Sequence, residues 1–358
     1  MRDNAILQAD LDHILLHTRE IWEGFRGSRL FITGGTGFVG KWLLESFLHA
    51  NDQLRLGARA VVLSRNPPAF AAAQPRLAAH PAIQMWAGDI RDFATPEGEF
   101  SHAIHGATDV AATATPLETF DVAVNGTRRV LDFCRDRAVP DLLLISSGAV
   151  YGRQPTDRDG VAEDFPGAPA STDPRSAYGQ GKRAAEWLTT AYGAAGGPAV
   201  RIARCFAFVG PYLPLDSHFA VGNFLGDRLA GRPIKLSGDG SPLRSYLYAA
   251  DLARWLWVIL ARGAPGEAYN VGAEEAISIG ELARRIAALG TSPLPVRMAH
   301  PPRLDVPPER YLPTTQKARQ ALGLEALVSL DQALSRTLDW ANSRNAPGVS
   351  PSNPPSAI

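Results

Sequence analysis

Tyr178 and Lys182 stand four residues apart in "SAYGQGKRAAEWL", the spacing that puts two side chains on one face of a helix. A free phenol titrates at about pH 10, too high for a base at neutrality. A neighbouring ammonium, or the positive charge of an oxidised nicotinamide, favours the phenolate and lowers that value. Tyr178 could then take the proton of a hydroxyl while hydride leaves the same carbon. Y-x-x-x-K is common by chance, so its placement matters. One strand and one loop earlier, "LLLISSGAVYG" (142–152) runs from an apolar stretch into Ser146 and Ser147, then Gly148 and Ala149. A buried strand that ends in hydroxyls aims them at something. The pair that follows carries no functional group.

A hydride acceptor is implied upstream. "FITGGTGFVGKWLLESF" places Gly34, Gly35, Gly37 and Gly40 between an apolar run and a helical pattern. Such glycines allow a tight turn and a close backbone approach, and a pyrophosphate then sits over the amide-rich start of the helix. The alternative is a tight turn that holds nothing. Phe38 and Val39 in that loop, and Ala107 at the end of the fourth expected strand, join the dinucleotide set. The second expected strand ends in Ser64 and Arg65, where NAD would call for an acid. A hydroxyl and a guanidinium suit a 2′-phosphate, so NAD(P) is expected with NADP favoured over NAD. The alternative is a solvated Arg65 with NAD bound regardless. Asp89 in "AGDIRD" is a candidate acceptor for the adenine amino group, with Ile90 against the ring.

These residues need a scaffold. Apolar, β-branched runs at 29–33, 59–63, 83–87, 102–107, 141–146, 199–204 and 268–271 alternate with helical patterns such as "VGKWLLESFLHA", "NGTRRVLDFCRDR" and "GKRAAEWLTTAYGAAG". Continuous apolar strands between amphipathic helices require a parallel sheet covered on both faces. The fold class is α/β, a doubly wound Rossmann sheet with a smaller C-terminal substrate-binding domain. Shorter helices are expected at 219–230, 251–261, 278–289, 314–322 and 330–343, between loops rich in Pro and Gly. The expected division is a helical extension at 1–28, with a stripe of Leu11, Ile14, Leu15, Ile21, Trp22 and Phe25 over residues 10–25. It continues with a dinucleotide domain at 29–205 plus roughly 246–272, and a substrate domain at 206–245 and 273–343. The tail 346–358 has too little apolar content to fold.

The chain of 358 residues is 45% hydrophobic and 20% charged, with 36 acidic and 36 basic residues. A balanced charge offers no field for nucleic acid or an anionic membrane. Cys134 and Cys205 cannot form a disulfide framework and read as packed thiols. The first residues lack a long apolar run, so a cytoplasmic protein is expected. His102 and His105 fall on an expected strand, His218 and His300 in loops, and no spacing suggests a metal site.

With "TGGTGFVG", "GDIRD", "NGTRRVL", "SSGAVYG", "YGQGK" and "GDGSPLRSYLYAADLA" in place, the chain resembles the extended short-chain dehydrogenase/reductase superfamily, in particular the nucleotide-sugar epimerases and dehydratases, from about Arg29 to Asn342. The resemblance implies that Ser147 hydrogen-bonds the reacting sugar oxygen together with Tyr178 and Lys182, and that Ser146 is structural. It implies a nucleotide-diphosphate sugar as partner, with Asn223, Arg244 and Arg303 near its phosphates, and a homodimer. The 4,6-dehydratases carry Asp and Glu at the positions of Gly148 and Ala149, and the related decarboxylases keep the Glu. Their absence disfavours water elimination, unless Glu163, Asp164 or His218 supplies the acid. One departure is Ala207, where the epimerases carry Asn. The implied function is a C4-type epimerase with transient hydride transfer. An NADPH-dependent keto-sugar reductase comes second, and dehydration or decarboxylation after it. A redox-sensing NAD(P)-binding module is opposed by the intact Ser147, Tyr178 and Lys182.

Overall fold

The structure is a computed structural model and describes residues 2–108, 114–217, 219–301 and 306–345. Seven parallel strands form its centre. They are β1 (Arg29–Thr33), β2 (Arg59–Ser64), β3 (Ile83–Ala87), β4 (His102–His105), β5 (Asp141–Ser147), β6 (Ala199–Cys205) and a last strand, Ala268–Val271. Their spatial order is β3-β2-β1-β4-β5-β6 and then the 268–271 strand, the doubly wound order expected from the sequence. Both faces are apolar, as a sheet covered on two sides requires. Leu30, Ile32, Val62 and Leu143 pack on one side, and Phe31, Val61, Leu142 and Leu144 on the other.

The fourth strand is shorter than the expected 102–107, since its ladder to β1 closes at Thr33 and His105. There the strand order reverses, and the chain leaves β1 and β4 in opposite directions. This crevice is where a doubly wound sheet takes its ligand. Helix α2 (Phe38–Leu54) follows β1. A helix over Pro116–Asp136 and another over Ala177–Ala194 pack side by side beyond β4 and β5.

The N-terminal stripe forms two pieces rather than one helix. Helix α1 spans Arg2–Thr18, and a 3-10 segment covers Arg19–Phe25. Leu7, Leu11 and Ile14 of α1 are buried with Trp42 and Tyr248, and Trp22 and Phe25 meet Trp257. The extension therefore caps helix Ala249–Arg262, which covers one face of the sheet.

Two short strands past β6 shape the site from above. Leu243–Arg244 pairs with Arg310–Tyr311, opposing Arg244 to Tyr311. Hydrogen bonds from Val161 N to Leu312 O and from Thr314 N to Val161 O then tie this segment to the loop after β5. The tail 346–358 lies outside the described residues.

Candidate active site

At the end of β1, Gly34 adopts φ +74° and lies so close to Gly106 that an added Cβ would stand 2.5 Å from its carbonyl carbon. At Gly40 a Cβ would stand 2.2 Å from Gly34 O, so the turn and the helix start are pressed together. Gly37 caps α2 without a side-chain hydrogen bond, and no acid occupies the first turn. The first amides of α2 thus present a positive end to an anion, the arrangement a dinucleotide pyrophosphate fits. Phe38 and Val39 are half-buried against the core. Ala107 N donates to Thr33 Oγ1 (3.1 Å), holding the two strand ends together.

The same threonine meets a buried histidine. His105 Nδ1 lies 2.8 Å from Thr33 Oγ1, and His105 Nε2 lies 3.0 Å from Thr127 Oγ1. The Thr127 proton goes to Ala123 O at 2.6 Å, so Nε2 must donate and Nδ1 must accept. Burial first, with the Lys182 charge behind it, pushes His105 down to about 3 and keeps it neutral.

On the adenosine side, Ser64 Oγ accepts from Asn66 N at 3.2 Å. Asp89 is gripped by Arg91 through Nε (2.7 Å), Nη2 (3.1 Å) and the backbone N (3.0 Å). That guanidinium holds the carboxyl below its usual range, with a smaller contribution from Arg65. Ile90 turns inward and is buried with Phe31, Val61 and Leu63, against Gly126.

The catalytic candidates meet at the end of β5. Ser147 Oγ accepts from Ala149 N at 3.1 Å and is the polar group that acts on the Tyr178 phenol. Tyr178 opens helix Ala177–Ala194, and its phenol is pushed up by burial and drawn back by the Ser147 hydrogen bond. Lys182 Nζ donates to Ile145 O at 2.9 Å and lies 6.0 Å from the centre of the Tyr178 ring. Burial pushes this ammonium down to about 8. One of the three protons of the ammonium is held by a strand carbonyl, and the lowering contact on the phenol comes from Ser147.

Ser146 has the structural role expected of it. Its Oγ donates to Glu186 Oε1 at 2.5 Å, and Glu186 is paired with Arg204 at 2.8 Å. Arg204 also reaches Tyr151 Oη (2.8 Å), which donates to Asn270 Oδ1 (2.7 Å). Glu163 accepts from Asn270 N at 2.7 Å, and Asp164 is exposed. Glu163, offered above as a rescuing acid, is thus committed to holding backbone; His218 lies outside the described residues.

Spacing gave no sign of Tyr311. Its Oη lies 3.2 Å from Ser147 Oγ and 3.4 Å from Cys205 O, and its ring packs on Phe206 at 4.8 Å. Arg244 reaches the same ring at 5.8 Å while pairing with Glu309 at 2.7 Å. Arg244 therefore joins the cluster. Asn223 is exposed on helix Ala220–Leu229, and Arg303 lies outside the described residues.

Comparisons with known proteins identify the family and agree with the fold. The sequence profile described as "NAD dependent epimerase/dehydratase family" matches residues 30–272. UDP-glucuronic acid decarboxylase 2 of Arabidopsis thaliana is 30% identical over 313 residues, covering 86% of this chain and 67% of its own length. UDP-glucuronic acid decarboxylase 1 of Danio rerio is 28% identical over 322 residues, covering 87% and 72%. Among solved structures, dTDP-glucose 4,6-dehydratase DesIV of Streptomyces venezuelae, with NAD and TYD bound, is similar at TM-score 0.73 and 27% identity, covering 88% of this chain and 98% of its own. UDP-glucose 4-epimerase of Thermus thermophilus, in complex with NAD, is similar at TM-score 0.72 and 25% identity, covering 89% and 99%. With its glycine turn, its doubly wound sheet and this match over most of its length, the chain belongs to the NAD dependent epimerase/dehydratase family of extended short-chain dehydrogenases/reductases.

Proposed function

We propose that the protein oxidises a hydroxyl of a nucleotide-diphosphate sugar at C4 and returns the hydride in the same site, as a 4-epimerase. One observation carries this reading: Ser147, at the end of β5, and Tyr178 and Lys182, on the helix packed against that strand, stand together beside the dinucleotide crevice, with no acid at Gly148 or Ala149. When bound, the dinucleotide supplies the acceptor and donor of hydride. Gly34, Gly37 and Gly40 would hold its pyrophosphate, and Asp89 its adenine. As the phenolate, Tyr178 Oη takes the proton of the sugar hydroxyl, Ser147 holds the same oxygen, and Lys182 keeps a charge beside the ring that favours the phenolate. Arg244 is the candidate for the diphosphate, exchanging Glu309 for it.

Decarboxylation of a UDP-uronic acid is the second reading, favoured by the names of the relatives. Oxidation at C4 leaves such a sugar a β-keto acid, so Tyr178 and Ser147 would serve both outcomes. This places decarboxylation ahead of keto-sugar reduction. The bare Ala149 keeps epimerisation first. A preference for NADP rests on Ser64 and Arg65 alone, since the similar structures hold NAD. A cytoplasmic homodimer is part of the proposal. The side-by-side helices Pro116–Asp136 and Ala177–Ala194 expose Leu117 (83%) and Trp187 (70%), an apolar face suited to a second copy.

The test is incubation with UDP-glucose, UDP-galactose, UDP-glucuronic acid and dTDP-glucose, each with NAD and with NADP, followed by chromatography and mass spectrometry. The expected product has the mass of its substrate, with NADP supporting the faster turnover. Tyr178→Phe should cut the rate by at least roughly a hundredfold. Loss of CO2 would install the decarboxylase reading. Loss of water, or a Tyr178→Phe enzyme as fast as wild type, would overturn the mechanism.

A further inference from the structure

We propose that Tyr311 fixes the direction of the Ser147 hydroxyl by donating its phenolic proton to Ser147 Oγ, leaving the serine proton for the reacting oxygen alone. The inference rests on the catalytic reading of Ser147 and Tyr178 above. A serine hydroxyl has one proton and two lone pairs. Ala149 N occupies one lone pair at 3.1 Å. Tyr311 Oη, at 3.2 Å, is placed to fill the second. Among the described residues, the other acceptor within reach of the Tyr311 proton is Cys205 O, at the longer distance of 3.4 Å. With both lone pairs filled, the serine proton can point only toward Tyr178 and the oxygen that binds beside it. A hydroxyl that already accepts two hydrogen bonds is also the better donor.

The phenol is placed for this work by the C-terminal part of the chain. Its strand, Arg310–Tyr311, is paired to Leu243–Arg244. Leu312 N donates to Gln154 Oε1 at 2.9 Å, and Val161 bridges to Pro313. The ring is held by Phe206 on one side and approached by Arg244 at 5.8 Å. Burial raises the phenol's own titration, so at neutral pH it remains a donor. Tyr311 is thus a positioning residue. It acts through Ser147 and does not touch the proton in flight.

Tyr311→Phe keeps the ring and its packing on Phe206, so the fold should survive, which a thermal midpoint close to wild type would verify. With the fastest-turning sugar of the panel above, kcat should fall roughly tenfold, the scale of one lost hydrogen bond, while KM stays within about twofold. In a Ser147→Ala background the same substitution should have no further effect, because the hydroxyl it orients is gone. An equal loss in both backgrounds, or a loss confined to KM, would mean that Tyr311 only shapes the sugar pocket, and would overturn the inference with the catalytic reading intact. Wild-type turnover in Ser147→Ala and Tyr178→Phe would instead remove the catalytic reading and the inference with it.

Discussion

A side chain at position 148 would have to share space with the Phe206 ring, since a Cβ there would stand 2.7 Å from both Cε1 and Cζ. The bare Gly148 is thus a packing solution as well as a missing acid. Gly148→Asp should cost about 1–3 kcal/mol through overpacking, read as a lower midpoint in urea, and Phe206→Ala in the same chain should recover part of it. An unaltered midpoint in Gly148→Asp would show that the ring moves aside freely. Ser147, Tyr178 and Lys182 were legible as candidates because the strand end, the helix spacing and the family resemblance carry them. Tyr311 was not: "PPERYLP" has no period, and its place depends on pairing with a strand some sixty residues earlier. Spacing of i and i+4 puts Lys182 on the face of Tyr178, and the bond from its ammonium to Ile145 O is a detail that spacing does not report.

At the scale of elements, the helix expected around "NGTRRVLDFCRDR" begins well upstream, at Pro116. Its start was written in the sequence as a capping box. Thr115 Oγ1 accepts from Glu118 N, and Glu118 reaches back to Thr115 N. The N-terminal segment was legible as an apolar stripe but not as two pieces. Its break falls where Thr18 Oγ1 donates to Ile14 O and accepts from Trp22 Nε1, a local bond set that periodicity does not report. Trp22 is fully buried and lies 4.9 Å from Trp257, ring centre to ring centre. Trp22→Ala should therefore cost about 3–5 kcal/mol, as for other large core aromatics, measured by urea unfolding. A cost below about 1 kcal/mol would mean that the extension adds nothing to the fold it covers.

For the molecule as a whole, the strand order was legible because runs of buried β-branched residues alternate with amphipathic helices, and such alternation admits few topologies. The buried His105 at the point where that order reverses gives the molecule an acid-side weakness. Its folded value of about 3 lies below the roughly 6.5 of an unfolded histidine, so the unfolded chain binds more protons between the two. Stability should rise with pH across that window and fall below about pH 6.5, by up to about 1.4 kcal/mol per pH unit from this group. Thermal midpoints from pH 4 to 7 should show the slope, and His105→Gln should flatten it; parallel slopes would refute the assignment. The contact between Asp10 Oδ1 and Arg336 Nη1, at 2.8 Å, together with the packing of α1 on helix Leu330–Asn345, has a consequence of another kind. During synthesis at about 5–20 residues per second, α1 leaves the ribosome tens of seconds before its partner is made. Until then Leu7, Leu11 and Ile14 can meet α2 and helix Ala249–Arg262 but not the C-terminal helix, so the packing of α1 is completed only when nearly the whole described chain has been made.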